Sequence, residues 1–117
     1  MHMDIQARGF TLTAAINSTV RREAASLASV LGEGDTKLMV RLFDVNSVRG
    51  GFDKGCLISA HISRNRRVIV ASSLETDLYF AIPIAFEKLR RGVIAAARRD
   101  HTLRRRARGP SPDVSAT

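Results

Sequence analysis

The sequence predicts an α+β fold: a two-layer sandwich in which a four-stranded sheet carries two helices on one face, in the order β-α-β-β-β-α. Four short segments alternate apolar and polar residues with the period of a half-buried strand. Two longer segments repeat apolar residues at helical spacing. Because each strand is apolar mainly on one face and each helix along one stripe, both helices must cover the same side of the sheet. With 117 residues, 44% of them apolar, the chain has room for one domain and one core.

The first strand is residues 3–7, with Met3, Ile5 and Ala7 inward and Gly9 ending it. Thr11 and Thr13 are both able to cap the next element, since a hydroxyl accepts a bond from the unpaired amides of a first helical turn. From there Ile16, Val20, Ala24, Leu27 and Leu31 recur at helical spacing, and Gly32 and Gly34 supply the stop. Residues 37–45 alternate again, with Leu38, Val40 and Leu42 on one face and Lys37, Met39, Arg41 and Phe43 on the other. A loop over 46–53, centred on Gly50 and Gly51, leads to a strand over 54–63 that sends Cys56, Ile58, Ala60 and Ile62 one way and Leu57, Ser59, His61 and Ser63 the other. Arg64, Asn65 and Arg66 make a tight turn in which Asn65 is suited to positive φ, and residues 67–73 form the last strand. The first crossover should pair strands one and two in parallel, leaving an antiparallel meander.

The stretch 76–108 reads as one long helix, capped by Thr76 with Asp77 placed for the helix dipole. Leu78, Ile82, Phe86, Leu89, Val93 and Ala96 share the core stripe, and Phe80, Ile84, Lys88, Arg91 and Arg98 the opposite one. Phe80 and Ile84 either pack on another part of the fold or meet a ligand. Pro83 is the misfit: an interior proline costs about 3 kcal/mol, and a kink rather than a break is expected because the apolar stripe stays in phase across it. The domain is expected to span residues 1–108. The remainder, 109–117, has little to bury and is expected to be a disordered tail.

Charge is concentrated on that last helix. Residues 88–117 hold nine Lys/Arg against Asp100 and Asp113, which accounts for +7 of the chain's formal +8. A localised excess of this kind suggests a polyanionic partner such as nucleic acid, although a solvated charged face is the simpler reading. All but Lys37, Lys54 and Lys88 of the 19 basic residues are arginine, whose planar fork matches phosphate oxygens.

The chemistry-bearing residues argue against an enzyme. Cys56 and His61 point to opposite faces of one strand and His101 lies far along the chain, so no spacing supports a metal site. Cys56 reads as core filler, and its being the single cysteine fits a reducing cytosol. His61 is expected at the surface, with an RNA contact as the lesser reading. Gly50-Gly51 lacks the following lysine of a phosphate loop, and no two carboxylates are placed for acid-base work. No signal peptide and no membrane-spanning run is expected, and the protein is read as cytoplasmic.

The element order, the helix opening Leu12-Thr13-Ala14-Ala15-Ile16, and above all Thr76-Asp77-Leu78-Tyr79-Phe80-Ala81-Ile82 followed by Glu87-Lys88-Leu89-Arg90-Arg91 resemble the bacterial ribosome hibernation promoting factors. These are also called ribosome-associated translation inhibitors, or sigma-54 modulation proteins in older naming. The resemblance runs from Met3 to Arg106 and is to the short form, without the second domain that pairs ribosomes in long members. It implies a stress or stationary-phase factor that silences idle ribosomes by occupying the mRNA and tRNA channel of the small subunit. It also implies rRNA as the contact, no cofactor, no small-molecule substrate, and a monomer off the ribosome. By the same resemblance Lys88 and Arg91 match RNA-facing positions of the family, and Arg90 belongs to the same step. Arg21 or Arg22 lies where the first helix offers a basic residue, and Arg98 and Arg99 match approximately. Pro83, in place of a usually polar residue, and Ala95-Ala96-Ala97, which interrupts a usually denser basic run, depart from the pattern. The alternatives are a generic structured-RNA-binding module, since double-stranded-RNA-binding domains share an αβββα core, or a protein-protein interaction domain using Phe80, Ile84 and Phe43.

Overall fold

A computed structural model describes residues 1–32, 35–45, 53–63 and 66–107, the side chains of 104–107 excepted. The elements run β1 (His2–Arg8), α1 (Ala14–Leu31), β2 (Thr36–Asp44), β3 (Lys54–Ile62), β4 (Arg67–Glu75) and α2 (Leu78–Ala107). Strand order in the sheet is the chain order, with β1 parallel to β2 and the other two pairings antiparallel. The α+β sandwich and its pairing are therefore as the alternation predicts. Gly34, the loop residues 46–52, Arg64, Asn65 and the segment 108–117 lie outside the described residues.

One core forms between the sheet and the helices. Leu38, Val40, Leu42, Cys56, Ile58 and Ala60 project from the strands to meet Val20, Ala24 and Leu27 of α1 and Ile82, Ala85 and Leu89 of α2, all essentially without solvent contact. Met3 and Ile5 on the edge strand β1 are only half-buried but pack against this cluster. The central strands carry the main apolar load because they have neighbours on both sides.

The element ends settle one open expectation and change others. Thr13, not Thr11, caps α1, its hydroxyl accepting from the Ile16 amide at 3.2 Å. For α2 the cap is Asp77 rather than Thr76, because its carboxylate accepts the Tyr79 amide at 2.9 Å while its carbonyl accepts from Phe80 and Ala81. β4 continues to Glu75 because β3 begins at Lys54 and the two pair directly. In the turn before β4, Arg66 adopts positive φ (55°).

Pro83 sits inside α2, which continues unbroken through it. Its missing amide removes the donor that would pair with the Tyr79 carbonyl four residues back. Replacing Pro83 with alanine restores that bond and should raise stability by about 1 kcal/mol or more in urea unfolding. A fall instead would show that the proline geometry is built into the packing.

Cys56 is fully buried, and burial pushes its thiol up to about 12 from an ordinary 9.0. It should react with a thiol reagent at pH 8 only after denaturation. Since the folded-state value lies above the unfolded one, the associated stability is complete below about pH 9 and falls as the pH rises toward 12. Rapid labelling of the folded protein would contradict the buried placement.

Candidate nucleic-acid interface

The second helix positions five of the seven candidate residues, Lys88, Arg90, Arg91, Arg98 and Arg99, so its seating on the sheet determines where they point. At 30 residues α2 is roughly 45 Å long, against roughly 30 Å for the nine-residue strands. It lies close to β4: a Cβ at Gly92 would come within 2.8 Å of the Ile69 side chain, so only glycine permits this approach without a shift. Ser73 of β4 donates to the Ala81 carbonyl near the start of the helix. Near its far end Arg67, the first residue of β4, forms an ion pair with Asp100, with Nε at 3.0 and 3.2 Å from the two carboxylate oxygens. The guanidinium of Arg67 is raised above its ordinary value chiefly by that hydrogen bond. Asp100 is thus paired with the sheet, and its charge does little to offset Arg98 and Arg99.

Around the helix the basic residues point in three directions. Arg91 and Arg98, seven positions apart, lie outward on one stripe with Phe80 and Ile84, within about 40° on an ideal wheel. Lys88 and Arg99 lean toward β4, and the Lys88 ammonium donates to the Ser72 carbonyl at 3.1 Å. Arg90 turns to α1, donating to Ser26 Oγ at 2.8 Å and to its carbonyl at 3.3 Å. Arg22 precedes Ser26 by one turn and so borders the groove between the helices. Arg21, about 100° away, faces the other side. The expectation of a common face for Lys88, Arg91 and Arg98 is therefore met most directly by Arg91 and Arg98, with Lys88 at its margin.

The outward stripe is open. Arg91 has a side chain 77% exposed and, among the described residues, pairs only with Glu87, at 3.4 Å. An exposed pair of this kind contributes little to stability and yields readily to another anion. Phe80 is 59% exposed and Ile84 37%, and neither belongs to the core cluster. Two shallow depressions follow the stripe: one of about 340 Å³ lined by Pro83, Ile84, Glu87, Lys88 and Arg91, and one of about 420 Å³ beside Arg98 and Arg99. His61 is exposed on the far face of the sheet. Among the described residues no cluster of His, Cys, Asp or Glu could hold a metal ion, and no helix is long and apolar enough to cross a membrane. Arg8 and Arg41, exposed on the open face of the sheet, were not singled out by charge clustering. Strand alternation, which puts them on the same face as Phe43, is the signal that finds them.

The fold is shared with solved structures. The chain is similar to the N-terminal domain of Thermus thermophilus Protein Y, with a TM-score of 0.66 and 21% identity over 80% of this chain and 96% of that one. It is similar also to a ribosomal subunit interface protein from Coxiella burnetii, with a TM-score of 0.69 and 12% identity over 83% of this chain and 98% of the other. No curated protein matches it significantly in sequence. Fold and family-level sequence pattern together define the class as small ribosome-associated α+β proteins. Within that class, the chain belongs to the family described as sigma 54 modulation protein / S30EA ribosomal protein, whose model matches residues 3–101.

Proposed function

We propose that the protein is a ribosome hibernation factor that binds the small ribosomal subunit through the outer face of α2 and inhibits translation by occupying the mRNA and tRNA channel. The observation that carries this reading is the open stripe of Arg91 and Arg98, flanked by Arg99 and Lys88, on the helix of a family member. Arg22 and Arg90 extend the basic surface across the groove to α1, and Arg21 lies beyond it. The guanidinium forks suit rRNA phosphates, and a rigid sheet behind the helix keeps them ordered before binding. On this reading the protein acts in the cytoplasm as a monomer, without a cofactor or a catalytic step.

Sedimentation tests it most directly. The protein should travel with small subunits in a density gradient at low salt, leave them at high salt, and inhibit a cell-free bacterial translation system. Protein remaining at the top of the gradient, with translation unaffected at excess, would sink the proposal. Binding that resists high salt would instead favour docking through the exposed Phe80 and Ile84.

A further inference from the structure

Both helices lie on one face of the sheet, which leaves the other face open to solvent. There the register brings together two cross-strand rows: Gln6, Arg41 and Leu57, then Arg8, Phe43 and Gly55. Between them is a depression of about 480 Å³, the size range of small-molecule sites. Its floor is apolar. A Cβ on Gly55 would stand 2.2 Å from two ring carbons of Phe43, so the absence of a side chain there lets the ring lie over the neighbouring strand. Leu57 extends that apolar floor.

The rim is cationic. Arg8 and Arg41 are exposed diagonal neighbours, and among the described residues neither has a hydrogen-bond or ion-pair partner. The nearby carboxylate, Asp44, already accepts from Lys54 at 2.9 Å. It therefore does little to neutralise the two arginines.

We propose that this depression is a nucleotide-binding site, in which a base packs on Phe43 and Leu57 and its phosphate is held by Arg8 and Arg41. A simple anion would need no apolar floor, and an uncharged apolar ligand would gain nothing from two unpaired guanidinium groups. A nucleoside monophosphate unit uses both, since bases stack on aromatic rings and arginine grips phosphate bidentately. The unit is supplied either as a free mononucleotide or as an unpaired residue of an RNA strand. The site lies on the sheet face opposite α2 and does not rest on the small-subunit reading.

Amide shifts of the full chain, followed by NMR during separate titrations with AMP, adenosine, inorganic phosphate and a 5′-phosphorylated RNA tetranucleotide, test the proposal. Saturable shifts at Phe43, Gly55 and Leu57 are expected with AMP, the RNA or both, and a response to one alone identifies the source. Adenosine and phosphate should each bind at least tenfold more weakly than the effective probe. The double variant Arg8→Gln, Arg41→Gln should lose at least tenfold in affinity with an unchanged far-UV spectrum, and Phe43→Leu, which keeps the apolar bulk, should weaken the base contact alone. Alanine at Arg91, Arg98 and Arg99 should leave AMP binding at this site unchanged. No shift at these amides with millimolar AMP or RNA would overturn the assignment. So would adenosine or inorganic phosphate binding as tightly as the nucleotide, or full affinity in the double variant.

Discussion

Changing Arg91, Arg98 and Arg99 together to alanine should weaken binding to purified small subunits roughly a hundredfold or more, with the circular dichroism spectrum unaltered. The three are exposed, and none supports the core. A hydrogen bond to a charged group contributes about 1.5–3 kcal/mol, and each 1.4 kcal/mol is a factor of ten. Even if the exposed setting reduces each loss to about 1 kcal/mol, the three together reach about 3 kcal/mol, a hundredfold or more. The salt dependence should flatten as well, by roughly 2 to 3 units of log-log slope if each arginine displaces one counterion from rRNA as on a duplex. Lys88 is left out because its ammonium is engaged with Ser72, so removing it would disturb the sheet edge as well as the surface charge. A folded triple variant with wild-type affinity and slope would remove α2 from the binding mechanism.

The second large effect is on stability. Leu89 lies where α2 crosses the sheet and has no exposed surface. Leu89→Ala deletes buried methyl groups and leaves a cavity that surrounding side chains fill only partly, a loss of about 2–5 kcal/mol. Folded domains typically have only about 5–15 kcal/mol in total, so the urea midpoint should drop steeply. Arg91→Ala, two positions along and on the outer stripe, should change it by no more than about 0.5 kcal/mol. Similar losses for both would mean that the helix is not seated as described.

The fold was legible because local and global demands agree. The alternation of Leu38, Val40 and Leu42 with polar or larger residues admits one burial solution, and the helical stripes through Leu27 and Leu89 admit one seating. What could not be read was anything decided between distant elements. Thr76 and Asp77 are both capping residues, and only backbone geometry selects Asp77. Arg90 looks identical in sequence to Arg91, yet one reaches Ser26 of the other helix and the other meets solvent. The packing of Phe43 over Gly55 depends on a strand register that composition does not contain. For the proposed sites, charge clustering points to the helix but not to the open sheet face, where Arg8 and Arg41 are far apart in the chain and become neighbours only through pairing.

The hydrogen bond from Lys88 to Ser72 has a bearing on self-association. β4 is a border strand, and Val68, Val70 and Leu74 stand exposed along it. Such a border, with carbonyls and amides turned outward beside apolar side chains, is a template on which a second polypeptide can add as a further strand. An ammonium held over one of those carbonyls blocks that addition twice, by occupying the acceptor and by placing a charge that a dry inter-strand contact cannot accommodate. The side chain that flanks the proposed RNA-facing stripe thus also governs colloidal behaviour. Lys88→Ala should therefore show light scattering that grows with protein concentration, whereas arginine at the same place should keep the border closed.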